Sequence, residues 1–430
     1  YINHYILKAI TTLPLTNENK EALLYDLLPD NSVIKTEKLE EMLDYYYKGF
    51  ALIVYDENKA LAIEAKASLD RGNSESESTV RGSKDAFNEN FNTNVGLIRR
   101  RLRSENCIME SLFIGKESRT KVGIMYMNTI AYPSNVDKVK EKMQKVDIDG
   151  VLDSGFLKMY LEKKSNLFFP TVMATERPDR VSQALLEGKI AIVVDNSPYV
   201  LITPTFFIDY LHTPDDYYQR ALNISFIRII RFLAFLVAIF TPALYIATTT
   251  HNQGALPLDL LLNFASQRES VPFSPLVEAL FMSIAFEILR ESDIRKPAAM
   301  GSAVSILGGL ILGEAAVSAG IISPIMIIVI AISAISGLAF SSMEMIAALR
   351  FLRFIMMFLA MFFGLFGIYC GGIFILAMLT TTSTLNLPYF APFTPFIKSE
   401  LEDALVKFKN KKIKKRNPLL TKNIVRGREK

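Results

Sequence analysis

The sequence predicts an α/β two-lobed soluble N-terminal domain followed by an all-α polytopic membrane domain. Three observations carry that reading. Residues 1–220 alternate short helical and strand patterns and are rich in charge. Residues 227–379 hold apolar runs too long and too poor in charge for water. Directly after them, Lys398–Lys430 carries 12 Lys/Arg against 4 Asp/Glu, a local balance of +8 in a chain of net charge +4. The expected domains are a first lobe at 1–140, a second at 141–220, a transmembrane domain of four to six segments at 221–397, and a basic tail at 398–430. The chain opens at Tyr1 and not at Met, so a preceding stretch is expected. Its first residues have no apolar signal-type core.

The soluble elements follow in order. Residues 1–66 read as two helices and a strand pair. "TEKLEEMLDYYYKG" has helical spacing and stops at Gly49. "FALIVYDENKALAIEA" reads as a hairpin turning at Asp56–Asn58. "RGNSESESTV" is a polar linker. "DAFNENFNTNVGLIRRRLR" (85–103) reads as a helix, then "CIMESLFIG" and "KVGIMYMN" as strands. "NVDKVKEKMQKV" and the end of "IDGVLDSGFLKMYLEK" read as helices. "TERPDRVSQALLEGKIAIVVDNSPYVLITPT" reads as helix, strand, turn, strand. The two lobes are expected to meet near residues 130–150.

Five apolar segments follow, at 226–250, 275–291, 302–322, 323–340 and 354–379. Pro242 is expected to kink the first. Arg228 and Arg231, the Arg290–Lys296 group, and Arg350 with Arg353 mark cytoplasmic ends by the positive-inside rule. The basic tail does so as well, and its charge suits contact with anionic headgroups. Five crossings would leave the tail on the wrong side. Three remedies stand open: a partial return through "TTTSTLNLPYFAPFTPF", a hairpin made at Gly371–Gly372, or an interfacial 275–291. Pro388, Pro392 and Pro395 forbid a regular helix and predict an extended exit.

Composition excludes several classes. Neither a phosphate-binding glycine loop nor a nucleophile elbow is present. Two cysteines and three histidines, all scattered, offer no metal spacing and no cofactor site. No residues support an enzyme. The basic tail lacks an accompanying nucleic-acid-binding fold, so nucleic acid is not an expected partner.

The carboxylates inside the apolar segments are the groups placed at greatest cost, about 2.5–3.5 kcal/mol each at the bilayer centre. Glu314 lies mid-segment. Leu307, Leu310, Val317 and Ser318 share its side of the helix, while Ser305, Gly309 and Gly313 form an adjacent small-residue row suited to close packing. Two readings stay open: this side lines a pore or polar cavity, or Glu314 is a buried acid bonded to a neighbouring helix. Glu278 and Glu287 fall on opposite faces and so make no carboxylate pair. Glu287 can pair with Arg290 at i+3. All three are candidate gating or partner contacts. Glu344 reads as solvated at a helix end. Arg99, Arg100, Arg101 and Arg103 spread around their helix and read as a solvated surface, or as a contact with a subunit or with lipid.

Four stretches carry a family resemblance: "VRGSKDAFNENFNTNVGLIRRRLRSE" (80–105), "PFSPLVEALFMSIAFEILRESDIRKP" (272–297), "GSAVSILGGLILGEAAVSAGIISPIMIIV" (301–329) and "LPYFAPFTPF" (387–396). Together they resemble the A subunit of GerA-type spore germinant receptors, a family that includes SpoVAF-like proteins. The resemblance implies a multi-pass protein of the spore inner membrane, with the N-terminal domain and tail on the cytoplasmic, spore-core side. It implies a transporter-like B subunit and a lipoprotein C subunit as partners. It further implies a homo-oligomer, expected as a pentamer, forming a nutrient-gated channel for monovalent cations. A SpoVAF-like paralogue that amplifies ion release is the alternative within the family. A secondary transporter or a signalling scaffold is the alternative outside it. A transporter should show two related halves with paired broken helices, and no repeat links 227–290 to 300–379.

Overall fold

The computed structural model describes residues 33–47, 50–56, 59–64, 72–73, 77, 81–163, 168–294, 298–401, 403–407, 415–421, 423 and 425. The helix expected before residue 33, most of the 71–80 linker and much of the basic tail lie outside the described residues. The chain divides into two compact units. One comprises Tyr1–Leu161, Ala174–Thr203 and Arg416–Ile424; the other comprises Glu162–Met173, Pro204–Lys415 and Val425–Lys430.

The first unit opens with a small antiparallel sheet. β1 (Val33–Thr36), α1 (Leu39–Tyr47), β2 (Phe50–Asp56) and β3 (Lys59–Glu64) follow in sequence, and β3 pairs with both other strands. The expected hairpin is thus β2–β3. Two short strands, β4 (Gly72–Asn73) and β5 (Asp85–Ala86), pair next. The helix expected over 85–103 is shorter: α2 spans Phe91–Arg101. Asn90 caps it by accepting from the Thr93 N–H at 3.0 Å, and Asn88 accepts from the Asn90 N–H at 3.0 Å. These asparagines hold the preceding backbone out of the helix, as asparagine does at an N-terminus.

The main sheet then forms from β6 (Cys107–Ile114), β7 (Thr120–Met127), β8 (Met173–Thr175), β9 (Ile190–Val194) and β10 (Val200–Thr203), in the order β6-β7-β9-β10-β8. Between them lie α3 (Pro133–Gln144), α4 (Ser154–Leu161) and α5 (Pro178–Leu186). Every residue of β9 and β10 is buried, which requires cover on both faces. Their runs "IAIVV" and "VLIT" supply the apolar side chains for it. The expected lobe boundary at 140 falls inside α3, and this one sheet takes strands from both sides of it. Part of the basic tail belongs to this unit. Leu420 and Thr421 are buried, Thr421 bridges to Ala131, and Arg416 Nε donates to the Leu186 carbonyl at 2.9 Å.

The second unit is helical. α6 (Phe207–Leu211) and a 3₁₀ turn (Pro214–Tyr218) lead to α7 (Ala221–Thr250), which runs on through Pro242. α8 (Leu258–Arg268) was not legible in the sequence pattern and buries no residue. α9 (Pro275–Ile294), α10 (Ala298–Ser318) and α11 (Pro324–Gly337) match the next three apolar segments. α12 (Met343–Thr381) contains the last. Among the described residues, α7 and α12 are long and apolar enough to cross a membrane.

α12 is not one rod. Its backbone leaves helical geometry at Gly364 (φ 58°, ψ −142°), a conformation essentially reserved for glycine. A Cβ placed on Gly371 would collide with Met356 Sδ and meet Leu359 Cδ1 at 2.9 Å. On a straight helix Met356 and Gly371 would stand roughly 22 Å apart at 1.5 Å per residue. The chain therefore turns back at Gly364, and residues 343–363 pack antiparallel to 365–381. The reversal frees backbone groups, and the end of α7 satisfies them. Asn252 Oδ1 accepts from the Leu365 N–H at 2.9 Å, and His251 Nε2 donates to the Met361 carbonyl. The hairpin weighed at Gly371–Gly372 thus forms seven residues earlier. Gly367 and Gly371 are the close-packing positions of its two arms. The expected extended exit is also different: after a short strand pair at 383–388, residues 389–396 form consecutive turns.

Candidate functional site

Glu314 is exposed and lies in the middle of the stripe that α10 leaves uncovered, with Leu310 and Ser318 one turn to either side. Leu310 is 65% exposed and Val317 is half-buried. Opposite this stripe, Gly308 and Gly309 approach Leu289 of α9, and Gly313 approaches Ile327 of α11. Gly308 is the tightest: a Cβ there would lie 3.2 Å from Leu289. The sequence spacing alone does not mark this position. Ser305 and Leu307 belong to the same helix, but their side chains lie outside the described residues.

Three polar clusters lie among the other helices. At the start of α9, Glu278 is buried. The Ser323 N–H and Oγ–H donate to its Oε2 at 2.9 and 2.8 Å, and Arg268 of α8 lies 3.3 Å from Oε1. Ser323 precedes α11, so the carboxylate meets the positive end of that helix dipole. Glu278 is thereby a buried link between α8, α9 and α11.

Lower on α9, Glu287 pairs with three arginines. Arg350 Nε lies at 3.0 Å, Arg353 Nη2 at 3.2 Å and Arg290 Nη1 at 3.6 Å. The expected local pair with Arg290 is the longest of the three. Arg353 is buried and reaches Ser333 of α11 at 3.5 Å, and Ser333 donates to the Ala238 carbonyl of α7 at 2.7 Å. A cavity of about 20 Å³, room for one water, lies among Ala238, Glu287, Arg290, Ser333, Arg350 and Arg353. The sequence marked these arginines as topology signals. Their convergence on one acid was not legible, because it depends on how α9 and α12 cross.

The third cluster gathers at the start of α7. Arg228, fully buried, donates to Asp403 Oδ1 at 2.9 Å and to Asp216 Oδ2 at 3.3 Å. Arg231 donates to Asp216 at 2.8 and 3.1 Å, and Lys407 Nζ to the Asp216 carbonyl at 2.9 Å. Burial pushes the Asp216 carboxyl up, but the Arg231 hydrogen bonds, its charge and that of Arg228 outweigh this and hold it below the usual carboxylate range. His212 Nε2 donates to the Ala404 carbonyl at 2.7 Å. Burial, aided by Arg228, pushes its imidazole down to about 4.

Elsewhere, Arg101 pairs with Asp85 at 3.1 Å, while Arg99, Arg100 and Arg103 are exposed. Glu344 accepts from Ser342 Oγ at 2.6 Å at the start of α12. Among the described residues no group of His, Cys, Asp and Glu could hold a metal.

These features define a two-part protein, with an α/β domain and a helical domain that holds two membrane-capable helices and carries charges between its helices. The family model for the Bacillus/Clostridium GerA spore germination protein matches residues 1–419, and the chain belongs to that family. It is 36% identical to spore germination protein KA of Bacillus subtilis, over 90% of this chain and 71% of that one. It is 37% identical to the uncharacterized membrane protein YfkQ of the same organism, over 91% of this chain and 77% of that one. It is also 31% identical to the N-terminal domain of the A subunit of the Bacillus megaterium spore germinant receptor GerK3. That structural match covers 47% of this chain and 74% of that one, at a TM-score of 0.35.

Proposed function

We propose that this chain is the A-type subunit of a nutrient germinant receptor in the spore inner membrane. Copies of it assemble into a nutrient-gated cation channel that releases ions as germination begins. The observation that carries the reading is the position of Glu314 on the uncovered stripe of α10. A carboxylate facing lipid there costs about 2.5–3.5 kcal/mol. Facing a shared axis, it gains water and cations instead. A ring of Glu314 side chains favours cations, and rings of Leu307 or Leu310 can close the path by dewetting. Val317 and Ser318 continue the lining in this reading, and Ser305, Gly309 and Gly313 set the packing behind it. Glu278, Glu287 and Arg290 then hold the supporting helices in register.

Counting the Gly364 hairpin as two passes gives six crossings. Arg228, Arg290, Arg350 and the basic tail then share the cytoplasmic side with the α/β lobes, as the positive-inside rule requires. A transporter-like B subunit and a lipoprotein C subunit are the proposed partners, and a pentamer is the proposed ring. The test is potassium release from spores in which Glu314→Gln replaces the native chain. Nutrient-triggered release should slow with receptor abundance unchanged. Unaltered release, with Leu310→Ala also silent, would remove α10 from the pore.

A further inference from the structure

The Glu287 cluster holds more positive charge than it needs for its own acid. Three guanidinium groups bring roughly fifteen N–H donors to one carboxylate. Glu291, exposed one turn further on, is the other acid acting on Arg290. Arg353 is buried, yet its Nε has no hydrogen-bond partner, and Arg350 Nε lacks hydrogen-bond geometry although it lies 3.0 Å from Glu287. Buried donors without acceptors cost about 1–3 kcal/mol each. The cleft between them is open on one side, where Arg350 and Arg290 keep 29% and 17% of their side chains exposed. The enclosed part has room for only about one water, so a larger acceptor would sit at the mouth and share the arginines with Glu287.

We propose that this cleft is a binding site for a phosphate-type oxyanion. Guanidinium forks match phosphate oxygens in pairs, which a lone carboxylate does not saturate. The source is either a free phosphate or the headgroup of an anionic phospholipid, since both present the same oxygens. The inference rests on the membrane reading and does not require that the protein conduct.

The full chain in nanodiscs gives the test, with the thermal unfolding midpoint as the readout. In neutral phosphatidylcholine discs, inorganic phosphate should raise the midpoint saturably while chloride at equal ionic strength does not. If the lipid headgroup is the ligand, phosphatidylglycerol discs should raise the midpoint instead, and added phosphate should do nothing further. Arg290→Gln, at the rim and so the variant least disruptive to folding, should weaken the response roughly tenfold, the loss of one charge-assisted hydrogen bond. Glu287→Gln removes the internal competitor and should strengthen it. A midpoint indifferent to both phosphate and phosphatidylglycerol overturns the proposal, as does a response that Arg290→Gln leaves intact. Ion-flux defects in Glu314 variants bear on conduction alone, so the two readings fail separately.

Discussion

Gly364 and His212 show how single residues set conditions for the whole helical unit. At Gly364 the backbone stands at φ 58°, and an added Cβ would collide with Asn252 Oδ1 and lie 2.9 Å from His251 Cβ. Gly364→Ala should therefore cost at least about 1–3 kcal/mol of stability, read as a lowered unfolding midpoint. His212 predicts a pH dependence. Its folded value of about 4 lies below the ordinary 6.5, so only the unfolded state takes up a proton between these values. Stability should be full above about pH 6.5 and fall as pH drops toward 4, by on the order of 3 kcal/mol. His212→Gln should flatten that limb of the stability curve. Asp216, held below its usual range, loses its contribution in the same direction, at lower pH. Neither role was legible in the sequence. Glycine is common in apolar helices, and a histidine's surroundings come from segments as distant as Ala404.

At the scale of elements, the apolar segments were legible because length and low charge suffice to find them. What joins them was not. The pairing of Asn252 with the Leu365 N–H spans 113 residues, and Glu278 meets Ser323 across 45. Asn252→Ala should leave the Leu365 N–H without its acceptor and cost about 1–3 kcal/mol, with Asn252→Asp milder because an acceptor remains. Faster hydrogen exchange at 361–367 would mark the loss. The basic tail also acts as a structural element. Composition read it as a basic run near headgroups, yet Leu420 is 2% exposed and packs within the α/β unit. Truncation after Lys415 should destabilise that unit by about 1.5–3 kcal/mol from the lost leucine burial alone. An unchanged denaturation midpoint for the truncated chain would contradict this.

At the scale of the whole molecule, the α/β-then-helical order was legible from the shift in composition near residue 220, and the family from four motifs spread along the chain. Glu314 was legible as an anomaly, an acid amid glycine and leucine. That it lies on an uncovered stripe needed the helix neighbours: Leu289 and Ile327 occupy the glycine side, which leaves the acid side open. The central claim is that copies of this stripe face one another across a cation path. The most direct measurement is cation flux through the purified full chain, reconstituted in liposomes with the proposed B- and C-type subunits and exposed to nutrient. The expected result is nutrient-dependent potassium flux that favours cations over chloride, with a marked loss of that preference in Glu314→Gln. Flux absent from the native assembly, or a cation preference unchanged in Glu314→Gln, would contradict it.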